Sequence, residues 1–425
     1  MTDKRTIETV LYDQRDELQA KKTLRLCHRR EEAMIDLDSP QAQVVIGVRR
    51  SGKSTMCYNA MEAAAVNYAY VNFDDERFAR ISGDQLNDVL EVLYKIYGDF
   101  THLFIDEIQN IDAWYLFVNR LLRRNMRVVI TGSNAKLLSG ELATHLTGRN
   151  SKIELFPFSF AEYCDFKGID TGGHTTKAEA FLRAAFDDYM TCGGFPELLS
   201  IKNKRGYVNE LVDNILKRDI EKRYRIQHAA TFEQLAQHLL NTAPAILSGN
   251  NIRDAFSLKS VHTVNNYTNF LRQAYLLVGL HKYSTKSRLR IVGEKVYPVD
   301  VALMNGRIDA MAGKNLGWRM ETIVYLELLR RHRPEGRDIY YFAERSGECD
   351  FIVCQGNMAV MAIQVSYDLT DPKTKKRELA GLLLAARRTR CTRLLLLTDH
   401  EREDLNVNGF QIAVRPVYEW AVSYK

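Results

Sequence analysis

No stretch of the 425-residue chain approaches the roughly 18 consecutive apolar residues that a membrane-spanning helix requires. No membrane partner is therefore expected. The opening residues, MTDKRTIETVLYDQRDEL, carry charge where a secretory signal has its apolar segment, which makes a cytoplasmic protein the expectation. The seven cysteines, at 27, 57, 164, 192, 349, 354 and 391, are scattered, odd in number and lack C-x-x-C spacing, so they read as reduced thiols. Cys349 and Cys354 lie close in sequence but have no further metal ligands beside them. Low-complexity tracts are absent too, and 46% hydrophobic with 26% charged residues is a globular mixture. At about 150 residues per domain the length implies about three cores. The net charge of +6 is small, yet basic residues bunch within 202–225, 282–295 and 373–393. Such runs serve as solvated faces or as contacts to a phosphate backbone.

What the sequence does contain is QVVIGVRRSGKST, residues 43–55. Val44, Val45 and Ile46 read as a buried strand that runs into G-x-x-x-x-G-K-S and then into a helix from about Lys53 to Ala65. Gly47 and Gly52 let the backbone of Val48, Arg49, Arg50 and Ser51 close round a phosphate with its N–H groups inward. Lys53 supplies a point charge for the outer phosphates, and Thr55 continues the turn. Ser54 opens the helix, where its hydroxyl suits a Mg²⁺ position and the helix N-terminus adds a positive dipole. ATP and Mg²⁺ are the expected cofactors.

Strand and helix then alternate. A strand at Tyr68 to Phe73 and a helix at Asp84 to Tyr97 lead to HLFIDEIQNI, whose apolar run ends in Asp106 and Glu107. A carboxylate at the end of a buried strand can hold magnesium and its neighbour can polarise a water, so Asp106 is assigned to the metal and Glu107 to the water. The next strand, Val128 to Ile130, closes in TGSN, where Ser133, with Asn134 in reserve, can sense a terminal phosphate or simply build a turn. Arg149 precedes a last core strand around Ile153 and Leu155. Its guanidinium can reach the terminal phosphate of its own or a neighbouring subunit's nucleotide, or cap the preceding helix at the surface. In CGGFPELL, Pro196 and the two glycines before it either close an adenine pocket or pack helices together.

The strings GVRRSGKST, IDEIQN, TGSNAKLLSG, LTGR before IELFPFSFAEY, and CGGFPE together resemble a bacterial and archaeal AAA-type ATPase family. Its members join that domain to a winged helix and a poorly characterised, nuclease-like C-terminal domain. The resemblance implies an α/β protein: a helical lead-in over 1–42, a P-loop AAA-type core over 43–165, a helical lid over 166–228, a winged helix over 229–300 and a nuclease-like domain over 301–425. It names no pathway.

Within 229–283 three helical stretches are expected, the third from Val261 to Val278 with Val264, Tyr267, Leu271, Ala274 and Val278 on one side. Asn265, Asn266, Asn269, Arg272 and Gln273 fall on the other, a face of amides that suits base edges, followed by Arg288 and Arg290 on a two-stranded wing. The same module serves equally as a prop for the ATPase or as a docking surface for a protein. Beyond Trp318, the order of Glu321 on a helix, Asp350 on a strand and Gln364 on the next resembles the PD-(D/E)xK nuclease core. An active member carries an acid and a lysine where this chain has Gln364 and Ser366, so the site reads as degenerate and inactive, with a metal-dependent nuclease as the lesser alternative if Lys373 or Lys376 reaches in from the following helix. Nucleotide, DNA, a protein and further copies of the chain are the partners to consider.

Overall fold

The structure, a computed structural model, describes residues 2–23, 26–133, 146, 148–173, 175–284, 293–305 and 315–423. The chain forms two compact units, Met1–Leu155 with Gln273–Tyr275, and Phe156–Arg272 with Leu276–Lys425.

The first unit is built on five parallel strands, β1 (Ala42–Ile46), β2 (Tyr68–Asn72), β3 (His102–Asp106), β4 (Arg127–Gly132) and β5 (Asn150–Glu154), in the order β2-β3-β4-β1-β5. A parallel sheet covered on both faces needs strands that are apolar throughout, and AQVVI and HLFID are buried at every position. Helices α1 (Lys4–Ala20), α2 (Lys53–Ala63), α3 (Leu86–Tyr97) and α4 (Trp114–Arg123) accompany them. Helix α3 buries Leu86, Val89, Leu90 and Leu93, the face its spacing predicts. The lead-in is less regular than expected. After α1 it passes through two short 3-10 turns, Lys21–Thr23 and Arg30–Met34, although Leu18 and Ile35 still join the core around Val45 and Phe104.

Register sets up the site. Ile46 of β1 lies opposite Gly132 of β4, and Ile105 of β3 lies opposite Ile130. The three central strands therefore deliver the residues after Ile46, Ile105 and Ile130 to one edge of the sheet.

In the second unit, helices Phe160–Lys167, Thr176–Cys192 and Lys204–Asn214 lead through a π-helical turn, Ile215–Glu221, into helices Ala229–Thr242, Gly249–Ala255 and Val261–Gln273. Nine strands follow one another through β6 (Ala245–Ile246), β7 (Leu277–Lys282), β8 (Lys295–Pro298), β9 (Asp338–Glu344), β10 (Gly347–Gln355), β11 (Met358–Val365), β12 (Leu394–Thr398), β13 (Glu403–Val407) and β14 (Phe410–Pro416). Their order is β13-β14-β12-β11-β10-β9-β7-β8-β6. Because β7 pairs with β9 through His281 and Tyr340, strands from both sides of residue 300 share one sheet.

One expected element is corrected. The third helix of this region stops at Gln273, and Val278 lies in β7 opposite Tyr297. The run LVGLHK can keep its apolar residues covered either way, and pairing with β8 decides for strand.

Helix Leu316–His332 is almost wholly buried, whereas helix Pro372–Thr389 buries one face, including Leu382, Ala385 and Ala386, on β10 and β11. Gly381 makes that approach possible, since a Cβ there would stand 2.0 Å from the Glu348 carbonyl oxygen. Gly381→Ala is expected to lower stability by about 1–3 kcal/mol, the cost of forcing a close-packed contact apart. A urea denaturation curve checks it, and an unchanged midpoint would contradict the close approach.

Candidate active site

The loop between β1 and α2 is held from both ends. A Cβ on Gly47 would fall 2.0 Å from the carbonyl oxygen of Leu155, so the neighbouring strand as well as any phosphate requires glycine there. Gly52 caps α2 in the left-handed region, with φ 94°. Arg29, a buried residue of the lead-in, donates from Nη1 to the Ser51 carbonyl at 2.9 Å and fixes the middle of the loop. The Lys53 ammonium, 4% exposed, donates to the carbonyls of Gly47 at 3.2 Å and Val48 at 3.1 Å. Arg49 is turned outward onto Asp74 at 2.7 Å. Ser51 is fully buried and its Oγ has no hydrogen-bond partner among the described residues, a spare hydroxyl in a loop suited to phosphate.

Across the edge, Asp106 ends β3. Its Oδ1 accepts from Ser54 Oγ at 2.9 Å and from Thr131 Oγ1, and its Oδ2 accepts from Tyr70 OH at 3.3 Å. Serine and carboxylate thus meet where a divalent ion bound with ATP would need both. Glu107, in the left-handed region with φ 54°, lies beside Lys53, with Oε1 3.9 Å from Nζ. Its Oε2 accepts from Ser133 Oγ at 2.9 Å and from Gln109 Nε2. Burial, with the charge of Glu107 next, raises the Asp106 carboxyl above its usual range. Burial also pulls Glu107 upward, but Lys53 and then Gln109 and Ser133 hold it below. The two adjacent carboxyls are therefore shifted in opposite directions by their different surroundings.

Lys53, Ser54, Asp106, Glu107 and Ser133 come together as expected from their strand ends. Arg149 does not. It precedes Asn150, which faces Ala42 at the start of β1, whereas the phosphate loop leaves β1 after Ile46 at the other end. Strand rise puts roughly 13 Å between those ends, and the exposed Arg149 guanidinium bonds Asn119 instead. This corrects the expectation that it reaches its own chain's terminal phosphate and leaves a neighbour's as the alternative. Sequence reasoning also missed Tyr70, Thr131, Gln109 and Arg29. Gln109 had a local signal, since it follows two residues after Glu107.

Most of the remaining expected residues lie in the second unit. Gly194 N donates to Asp300 Oδ2 at 2.9 Å and Gly194 O accepts from Phe158 N at 2.7 Å, so the turn before Pro196 is held by these two loop residues. On helix Val261–Gln273, Asn265, Asn266 and Asn269 are exposed, with Gln273 half-buried at its end. Arg272 is paired with Glu294 and is not free for a base edge, which removes it from the polar face. Arg288, Arg290 and Asn134 lie outside the described residues.

Glu321, Asp350 and Gln364 do meet, with two residues that spacing could not supply. Lys295 on β8 places Nζ 3.4 Å from Glu321 and 3.8 Å from Asp350. Tyr297 donates to Glu321 at 2.7 Å, and Gln364 donates to Glu378 at 2.6 Å while its own oxygen accepts from Asp350 N at 3.2 Å. Burial works against the Lys295 ammonium, but Glu321, Asp350 and Glu348 more than offset it and raise its pKa.

Comparison with known proteins agrees with the geometry of the first unit. Residues 39–164 match the family described as an AAA domain, and residues 183–314 match a domain of unknown function (DUF8612). Uncharacterized protein MJ1544 of Methanocaldococcus jannaschii is 31% identical over 96% of this chain and 94% of its own length. An uncharacterized protein of Haemophilus influenzae is 28% identical over 79% of this chain and 84% of its own. Among solved structures, a Walker-type ATPase of Pyrococcus abyssi aligns with a TM-score of 0.44 and 12% identity, covering 72% of this chain and 95% of that one. The identity sustained along nearly the whole length places the chain in the same family as the Methanocaldococcus protein, with an AAA-type ATPase domain over residues 39–164.

Proposed function

We propose that the chain hydrolyses ATP with Mg²⁺ and uses the cycle to change the arrangement of its other domains, with duplex DNA as the partner. The observation that carries this reading is the pairing of Ser54 with Asp106 beside a separately held Glu107. Lys53 would take the outer phosphates, and Ser54 with Asp106 would hold the ion. Bound there, the ion would neutralise charge on the phosphates as the terminal group leaves. Glu107 would accept a proton from the attacking water, with Ser133 and Gln109 fixing its orientation. A second reading, a slowly turning switch acting through a protein partner, keeps the binding residues and removes the water-activating role of Glu107.

DNA enters through the module over 229–298. Helix, strand, two helices and two strands, with β6 and β7 both paired to β8, is the order of a winged helix, and Asn265, Asn266 and Asn269 are exposed on its last helix. Glu107→Gln is expected to keep ATP affinity while phosphate release falls by about 10² to 10⁴. Duplex DNA should raise wild-type release, and the increase should fade with added salt. Undiminished release in the variant would reject the assignment of Glu107.

For the cluster around Asp350 we propose a charge-balanced scaffold in which Lys295 occupies the place of a metal cation. The contacts that favour this are its two carboxylate neighbours and the engagement of the Gln364 side chain by Glu378 and by the Asp350 backbone. Removing one member of such a buried set leaves charge uncompensated. Lys295→Met should cost about 3–5 kcal/mol in thermal or urea unfolding; a variant as stable as wild type would contradict the role.

A further inference from the structure

Helix Pro372–Thr389 is apolar on more than the face it lays on the sheet. Leu382, Leu383, Ala385 and Ala386 belong to the buried core, and Leu383 together with the partly buried Leu379 and Leu384 floors a groove of about 620 Å³, closed on its far side by Val407 at the end of β13. The wall runs from Pro372 to Arg387 at positions three and four residues apart, so it follows the helix axis for about 22 Å. Leu379, Leu384 and Val407 are only half-buried. A single amphipathic helix on a sheet needs one apolar stripe, and nothing in that role calls for a second.

The rim has one sign of charge. Lys375, Lys376 and Arg387 line the groove, and among the described residues no carboxylate does. Lys375 is met from outside by Glu403 at 2.5 Å, whereas Lys376 and Arg387 are exposed. A phosphate backbone would gain from the cations but nothing from an aliphatic floor, whose water it would displace without apolar contact. An amphipathic helix with acidic flanks satisfies both features at once, leucine-type side chains into the floor and carboxylates against the rim.

We propose that this groove is a docking site for an acidic amphipathic helix of a protein partner, roughly four turns long. The probe is a fluorescein-labelled peptide of about 15 residues with leucines at i, i+3, i+4 and i+7 and glutamates elsewhere, titrated onto the full chain by anisotropy. Its twin carries lysine for glutamate. The expected result is saturable binding of the acidic peptide, at least about tenfold tighter than its twin. Leu384→Asp should abolish it. Because that residue is half-buried, the exposed double variant Lys376→Glu with Arg387→Glu is the independent arm, and it should reverse the preference between the twins. Several outcomes would overturn the proposal: no saturable binding of the acidic peptide, equal affinity for the twins, or binding untouched by the double variant. Displacement of the peptide by a DNA duplex through Lys376 and Arg387 would reassign the surface to nucleic acid. Self-association of the wild type that Leu384→Asp removes would reassign it to a second copy of the chain.

Discussion

A carboxylate taken out of water at the end of a strand is the constraint on which the first unit depends. Asp106 is buried, and an unpaired charge there would be prohibitive. It persists because three hydroxyls reach it, from Ser54 at the start of α2, Thr131 on β4 and Tyr70 on β2. Each comes from a different element, so holding Asp106 fixes the separations of strand, loop and helix together. Glu107 next to it draws on a separate set, Lys53, Gln109 and Ser133. One edge of one sheet thereby holds two adjacent carboxyls by separate sets of partners.

The second unit contains a related cluster around another lysine. Glu321 and Asp350 are balanced by the Lys295 ammonium, while Glu378 is tied through Gln364 to the same strands. In the ATPase domain a lysine stands beside carboxylates with spare phosphate-binding capacity in the loop around it. In the sheet beyond β7 the lysine is itself the neutralising charge. Similar residue types thus meet at a sheet end in one unit and within a sheet in the other.

The phosphate loop and the acidic strand end were legible because their residues are contiguous and their spacing is set by local geometry. Val44 to Ile46, the loop and Lys53 describe strand, turn and helix without help from the rest of the chain. Tyr70, Thr131 and Arg29 were not legible, because their part comes from strand order and register, which periodicity does not carry. Lys295 was missed for the same reason. Lys295 lies on β8, which joins β9 only through β7. For Arg149 only the reach to its own chain's phosphate fell away, because nearness to a core strand in sequence does not say which end of the sheet a residue occupies. Val278 failed on period, since apolar residues four apart carried a helical pattern into a segment that pairs as a strand.

Calorimetric titration of MgATP into the full chain, beside Lys53→Ala, tests the central claim most directly. The account predicts one ATP bound per chain and an affinity lower in the variant by about a hundredfold, on the order of 2.7 kcal/mol. Absence of ATP binding to the wild type, or equal affinity in both proteins, would contradict it.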